Sequence, residues 1–297
     1  MEIVTMKYDM EADWIVNMLC NFNCDYCSYR SDIEQPGVLS FAPEVYEYFF
    51  NETGKTWMLH MSGGEPFAYS KAVDVMAAVS KNHYLSFNTN GSQTVRFKQF
   101  IKSVSPLRVQ YIHVGVHMLE RERLGGWDVL YSNMRMLRDA GFTVFGSQVM
   151  EKGVIPLFED LSRKLMDQTG CVLIPKTESH LTDNNQYTDG EKHLLRGFVK
   201  RVVEQHGFIT HYYTVNPLVD IFYLSGFPDF RGPDCHAGVK FVKIDEYGNV
   251  WRCEKKEKLG SIGEGLLNLH TAPYPCQEQF CPYYCLKYST KFKKELV

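Results

Sequence analysis

The stretch NMLCNFNCDYCSY, residues 17–29, sets Cys20, Cys24 and Cys27 at intervals C-x3-C-x2-C directly after WIVNML (14–19), a short β-rich run. Five more such runs follow, at 57–62, 84–90, 109–117, 142–150 and 171–176. Between them lie amphipathic stretches such as APEVYEYFFNET (42–53), KAVDVMAAVSKN (71–82), WDVLYSNMRMLRDAG (127–141) and LFEDLSRKLMDQTG (157–170). The last two end in glycine, as helices often do. Six strands, each followed by a helix, predict a parallel sheet with right-handed crossovers. Periodicity leaves open a doubly wound sheet or a full or partial β/α barrel. In either, chemistry sits at the carboxyl ends of the strands, and the cysteine loop follows the first of them.

A seventh helix is expected in DGEKHLLRGFVKRVVEQHG (189–207). From about Asn216 the chain turns rich in Pro, Gly, Tyr and Cys, with a hairpin-like FVKIDEYGNVWRC (241–253). The expected division is 1–215 for the β/α unit and 216–297 for a smaller appended domain. The 297 residues carry 44% hydrophobic and 23% charged side chains and a formal net charge of −3. That balance suits a soluble globular chain with no nucleic-acid partner. No apolar segment suggests a signal peptide or a membrane span, so the expectation is a cytoplasmic protein. Eight of the nine cysteines fall into two groups, which in such a chain points to metal before disulfides.

Three thiols on one loop fall one short of a closed zinc site. Zinc or a ferredoxin-like cluster can recruit a fourth ligand elsewhere. A [4Fe-4S] cluster with one open iron needs none. The loop, with Tyr26 before Cys27, resembles the signature of the radical S-adenosylmethionine (SAM) superfamily. Two further matches carry the resemblance: Gly63, Gly64, Glu65 and Pro66 after the second run look like its GGEP motif, and Thr89-Asn90-Gly91 after the third is similar to its T-N-G. The resemblance implies a partial (β/α)6 barrel of radical SAM type. Cys20, Cys24 and Cys27 would ligate the cluster, the open iron would chelate SAM, and Glu65 would anchor the glycine loop. Tyr26 would lie against adenine, with Thr89, Asn90 and Gln148 reaching the ribose or carboxylate.

In the C-terminal group, Cys235 and Cys253 frame a C-x12-G-x4-C pattern, and Cys276, Cys281 and Cys285 a C-x4-C-x3-C pattern. These resemble the auxiliary-cluster domains called twitch and SPASM. Five cysteines imply one auxiliary [4Fe-4S] cluster and a twitch-like domain. Cys235, Cys253 and Cys285 are the expected ligands by analogy, with Cys276 or Cys281 as the fourth. A zinc ribbon is the competing reading, although no C-x2-C pair is present in this group.

Period-two alternation puts Tyr111, His113, Gly115 and His117 on one face of the fourth run, and Ser86, Asn88 and Asn90 on one face of the third. These rows predict a polar cavity above the cluster. His117 is expected to contact substrate or move a proton, with His113 a satisfied core residue as the plainer alternative. Cys171 is either a buried small hydrophobe or a hydrogen donor of the kind epimerases use. Lys176 and Arg30 can bind an anionic group or merely face solvent.

The expected activity is reductive cleavage of SAM and hydrogen abstraction from a small, sugar- or cyclitol-like substrate, followed by oxidation with the auxiliary cluster as electron acceptor. That makes the chain an oxidoreductase, drawing electrons from flavodoxin or ferredoxin. The first run near Trp14 leaves no room for a precursor-binding domain, which favours the small substrate. Epimerisation and peptide crosslinking are the alternatives within the superfamily. A metal-binding or electron-transfer protein is the alternative outside it.

Overall fold

The computed structural model describes residues 6–27, 41–178, 187–207, 220, 224, 229–253 and 257–279. Its first part alternates strands and helices: β1 (Met10–Asn17), α1 (Pro43–Glu52), β2 (Trp57–Gly63), α2 (Ala72–Val79), β3 (Tyr84–Thr89) and α3 (Thr94–Ser103). The pattern continues with β4 (Val109–Gly115), α4 (Met118–Leu124), α5 (Trp127–Asp139), β5 (Val144–Val149), α6 (Phe158–Thr169), β6 (Leu173–Lys176) and α7 (Asp189–Gln205). Short strands follow: β7 (Asp234–Cys235), β8 (Phe241–Ile244), β9 (Asn249–Trp251), β10 (Lys258–Ser261), β11 (Leu266–Leu267) and β12 (Tyr274–Pro275).

Strands β1 to β6 are parallel and lie in sequence order. A doubly wound sheet needs a reversal of that order to put helices on both faces. With none, right-handed crossovers place the helices on one side and the sheet is a partial barrel. Beyond β1, on the edge away from β2, β8 adds in parallel, and β9, β10 and β11 continue antiparallel. The C-terminal segment therefore extends the barrel sheet, while β7 and β12 form a separate two-stranded ladder.

One face of each strand packs under the helices. Trp14 meets Tyr46 and Phe50 of α1 at ring separations of 5.4 and 5.5 Å. Phe67, just after β2, contacts Phe87, Phe97 and Phe100. Each such buried ring contributes about 2–3 kcal/mol of apolar burial. Gly141 and Gly170, at φ +93° and +68°, close α5 and α6 as the sequence predicts. The β8–β9 hairpin turns at Gly248 (φ +81°), where Asp245 accepts from Tyr247 N, Asn249 N and Trp251 Nε1.

Two boundaries differ from expectation. Strand β1 starts at Met10 rather than Trp14, because Glu11 and Asp13, poor strand formers on sequence grounds, are buried on its inner face beside groups that balance them. Strand β4 stops at Gly115, and His117 adopts φ +50° to open α4. Among the described residues no helix is long and apolar enough to cross a membrane.

Candidate active site

The carboxyl ends of β1, β2 and β3 are joined by backbone. A Cβ on Gly63 would lie 2.1 Å from Asn17 O, and one on Gly64 2.2 Å from Leu19 O. Both positions are therefore reserved for glycine by the close passage of the β1 exit. Gly64 N donates to Asn17 O (2.9 Å) and Glu65 N to Leu19 O (2.6 Å). The Glu65 carboxylate is fully buried and accepts from Phe67 N (3.1 Å), Thr89 Oγ1 (2.8 Å) and Asn90 N (2.6 Å). Burial pushes it up to about 7, against the pull of those hydrogen bonds. Glu65 thus ties the β2 exit to the β3 exit, at the foot of the cysteine loop.

The loop itself is clasped by the start of α4. Glu120 Oε1 accepts from Asn23 N (2.7 Å) while Arg123 grips both carboxylate oxygens (2.9 and 2.7 Å). His117 Nδ1 lies 3.5 Å from Cys24 Sγ and contacts the Tyr26 hydroxyl, with the two rings stacked at 6.1 Å. It is the one non-glycine residue with positive φ among those described, a conformation costing about 1–2 kcal/mol. Its imidazole lies over the bare α-carbon of Gly115, and burial with nearby Arg121 lowers it to about 4, leaving it neutral. Asn23, Cys24, Asp25, Tyr26, Glu120 and Glu151 help line a cleft of about 350 Å³ beside the loop.

Burial pushes the Cys20 thiol up to about 11 and that of Cys24 up to about 12. Cys20 Sγ accepts from Phe22 N (3.4 Å) and lies 4.0 Å from Asn90 Nδ2, whereas Cys24 turns to His117. Among the described residues no three Cys, His, Asp or Glu side chains are gathered closely enough to hold a metal ion. The donor set nevertheless fits an iron-sulfur cluster in its chemistry: three thiols on one short loop, protonated until metal displaces the protons.

Inside the barrel the predicted rows are hydrogen-bonded to one another. His113 Nδ1 pairs with Asn88 Oδ1 (2.9 Å), and Ser86 with His60, which lies 3.5 Å from the Tyr111 hydroxyl. Glu11, Asp13, His60, Ser62 and Lys243 join this interior, and sequence reasoning missed all five. Glu11 Oε2 lies 3.9 Å from His60 Nε2, and Lys243 Nζ 3.7 Å from Asp13 Oδ2. Alternation in MEADWIVN and WMLHMSG was the available signal for the first four; Lys243 had none, since its strand arrives from the far end of the chain.

The other predicted residues are distributed as follows. Thr89 and Gln148 fall on the helix-facing side; Gln148 accepts from Met118 N (2.9 Å) and donates to Val149 O (2.7 Å). Asn90 does face the loop, donating to Asn21 Oδ1 (2.9 Å). Cys171 precedes β6, at the opposite end of the barrel, with its Sγ 3.7 Å from Thr169 O and its thiol raised by burial. Lys176 pairs with Asp220 (3.0 Å). Cys235 sits opposite Tyr274 in the β7–β12 ladder, Cys276 follows β12 and donates its N–H to Pro233 O (2.9 Å), and Cys253 follows β9 near Tyr274. Cys281, Cys285 and Arg30 lie outside the described residues.

No curated protein matches the sequence. Among solved structures, Streptococcus suis SuiB bound to S-adenosylmethionine superposes with a TM-score of 0.57 at 12% identity, covering 86% of this chain and 64% of that one. This chain therefore spans under two thirds of SuiB. Native anSMEcpe with bound AdoMet gives a TM-score of 0.57 at 16% identity, covering 85% and 78%. Such identities speak for the fold alone. The model of the radical SAM superfamily matches residues 14–157, from the first strand through the cysteine loop, Gly63–Pro66 and Thr89–Gly91 to the turn after β5. That segment, just under half of the chain, is similar to the radical SAM domain.

Proposed function

We propose that the chain is a radical SAM enzyme that abstracts a hydrogen atom from a small hydroxylated substrate, sugar- or cyclitol-like, and oxidises the resulting centre. The observation that carries the substrate class is the barrel interior under the cysteine loop: Asp13, Ser62, Asn88, His113 and Lys243 present donors and acceptors from five strands. When bound on Cys20, Cys24 and Cys27, the cluster with SAM supplies a 5'-deoxyadenosyl radical. Everything else is the work of the chain's residues. Gly63 and Gly64 keep the β1 and β2 exits in contact, Glu65 fixes the β3 exit, and Asn90 and Tyr26 line the loop where SAM would bind.

His113 is the better substrate-facing histidine in this reading. Asn88 Oδ1 accepts from its Nδ1–H, which leaves a lone pair on Nε2, a buried atom with no hydrogen-bond partner among the described residues; burial lowers the ring to about 3, so that nitrogen stays neutral and can accept a hydrogen bond from a substrate hydroxyl. His117 is occupied with Cys24 and Tyr26. Cys235, Cys253 and Cys285, with Cys276 or Cys281 as the fourth ligand, would hold the auxiliary cluster as electron acceptor, a flavodoxin or ferredoxin supplying electrons to the first. A second reading, peptide modification, draws on fold relatives described as SuiB bound to precursor peptide SuiA and anSMEcpe bound to a Cp18Cys peptide. Epimerisation has less support, because Cys171 lies at the wrong end of the barrel to return a hydrogen.

The test is anaerobic reconstitution of wild type and the triple variant C20A/C24A/C27A, with iron, sulfide and dithionite-dependent 5'-deoxyadenosine measured. The expected outcome is about eight irons falling to about four, with cleavage lost. Zinc in place of iron, or no cleavage by wild type, refutes the enzymatic reading. Product formation with polyols against peptides then decides the substrate class.

A further inference from the structure

Arg121, on α4, is 1% exposed, among the largest fully buried side chains in the molecule. Its guanidinium donates only to backbone carbonyls: Val116 O (2.9 Å), Gly126 O (3.3 Å) and Asn90 O (2.5 Å). Its charge lies 5.1 Å from the ring centre of Phe22, inside the cysteine loop, and 6.0 Å from that of Trp127. No described carboxylate is in ion-pair contact with it. The two acids nearby are committed elsewhere, Glu65 to its three donors and Glu120 to Arg123 and Asn23.

A full charge buried against neutral partners is costly, and neutral donors can satisfy carbonyls as well. The position becomes economical only beside an anion. Burial lowers the guanidinium to about 10 even though negative charge on nearby groups, that of Cys24 foremost, favours its charged form. Three cysteinates around a cluster carry net negative charge, which deepens on reduction, and such charge is among the quantities that set a cluster's potential.

We infer that Arg121 is the counter-cation of the cluster on the Cys20–Cys27 loop, a positioning residue that holds Phe22 and Asn90 in place and raises the cluster's reduction potential. This rests on the reading of the three thiols as cluster ligands. Lysine at 121 keeps the charge and loses the planar three-carbonyl fork; glutamine loses the charge.

The experiment uses the full chain in a C235A/C253A background, so that the loop's cluster alone is read, with R121K and R121Q reconstituted anaerobically. Midpoint potential is followed by electron paramagnetic resonance during redox titration, and melting temperature is recorded before reconstitution. The expected result is a lower melting temperature for both variants, a potential lowered in R121Q and one that stays at the background value in R121K. Equal potentials in all three proteins, or an equal drop in R121K and R121Q, overturn the inference and leave a purely structural arginine. Should R121Q fail to fold, R121M supplies the neutral comparison: a potential lowered in R121M and unmoved in R121K supports the inference, and equal potentials overturn it. Absence of iron from the background protein is a different failure, that of the ligand assignment itself.

Discussion

Replacing Gly64 by alanine tests how the barrel builds its site. The added Cβ would lie 2.2 Å from Leu19 O, 2.6 Å from Leu19 C and 2.9 Å from Met18 C. The first contact is about 1 Å short of ordinary separation, and every atom it meets is backbone, so no side-chain rotation relieves it. Overpacking of this kind costs roughly 1–3 kcal/mol. Moving the β1 exit also breaks Glu65 N to Leu19 O (2.6 Å) and strains Gly64 N to Asn17 O (2.9 Å), at about 1 kcal/mol each. A sum of about 3–5 kcal/mol lowers the melting temperature by roughly 6–10 °C in a chain of this size. The displaced segment leads straight into Cys20, so iron retention should fall with stability. Thermal melts by circular dichroism, iron per chain after reconstitution, and 5'-deoxyadenosine release together form the assay. A variant that melts within about 2 °C of wild type and retains its iron would show that the glycine is not required by the β1 exit, and the account of the strand-end contact would fail.

Two further outcomes follow from charges placed by the fold. Burial, then repulsion from Glu178 and Asp25, pushes Glu151 up to about 7. The folded state holds that proton more tightly than the unfolded chain, so its contribution to stability is full below the ordinary value of 4.5 and is lost as pH rises through about 7. Allowing for solvent screening at this partly exposed site, E151Q should gain about 1 kcal/mol at about pH 8 and nothing at about pH 3.5; a difference that does not change with pH contradicts the assignment. For the barrel interior, K243M leaves Asp13 buried without its lysine and should cost roughly 3 kcal/mol, while D13N/K243M recovers part of that loss. Simple additivity in urea unfolding would mean that the pair does not couple β8 to β1.

Much of this was legible in the sequence because it is local. The alternation of runs and amphipathic stretches, the glycines after α5 and α6, and three motifs at the ends of successive strands depend on spacing along the chain, and spacing survives without any knowledge of contacts. The inner rows on β3 and β4 were readable for the same reason, since a period of two is a property of the strand itself. Glu11 and Asp13 were passed over because intrinsic preference argues against acids in a strand, and the groups that reverse that preference, His60 and Lys243, come from other elements.

Tertiary structure decided what depends on register and strand order. Periodicity could not choose between a doubly wound sheet and a barrel, because the choice rests on whether strand order reverses, and strand pairing is non-local; the partial barrel implied by the motif resemblance is what the unreversed order gives. Sequence placed Thr89 and Gln148 toward the ligand, while only the fold could give their partners, the Glu65 carboxylate for Thr89 and Met118 N for Gln148. It singled out His117 by its place in a row, but the left-handed turn after β4 swings that ring onto Cys24 and leaves His113 with the open nitrogen. Arg121 carried no sequence signal at all: one of two arginines in LERERL (119–124), it reads as a solvated charge, and only the packing of α4 against the cysteine loop buries it with no carboxylate partner among the described residues.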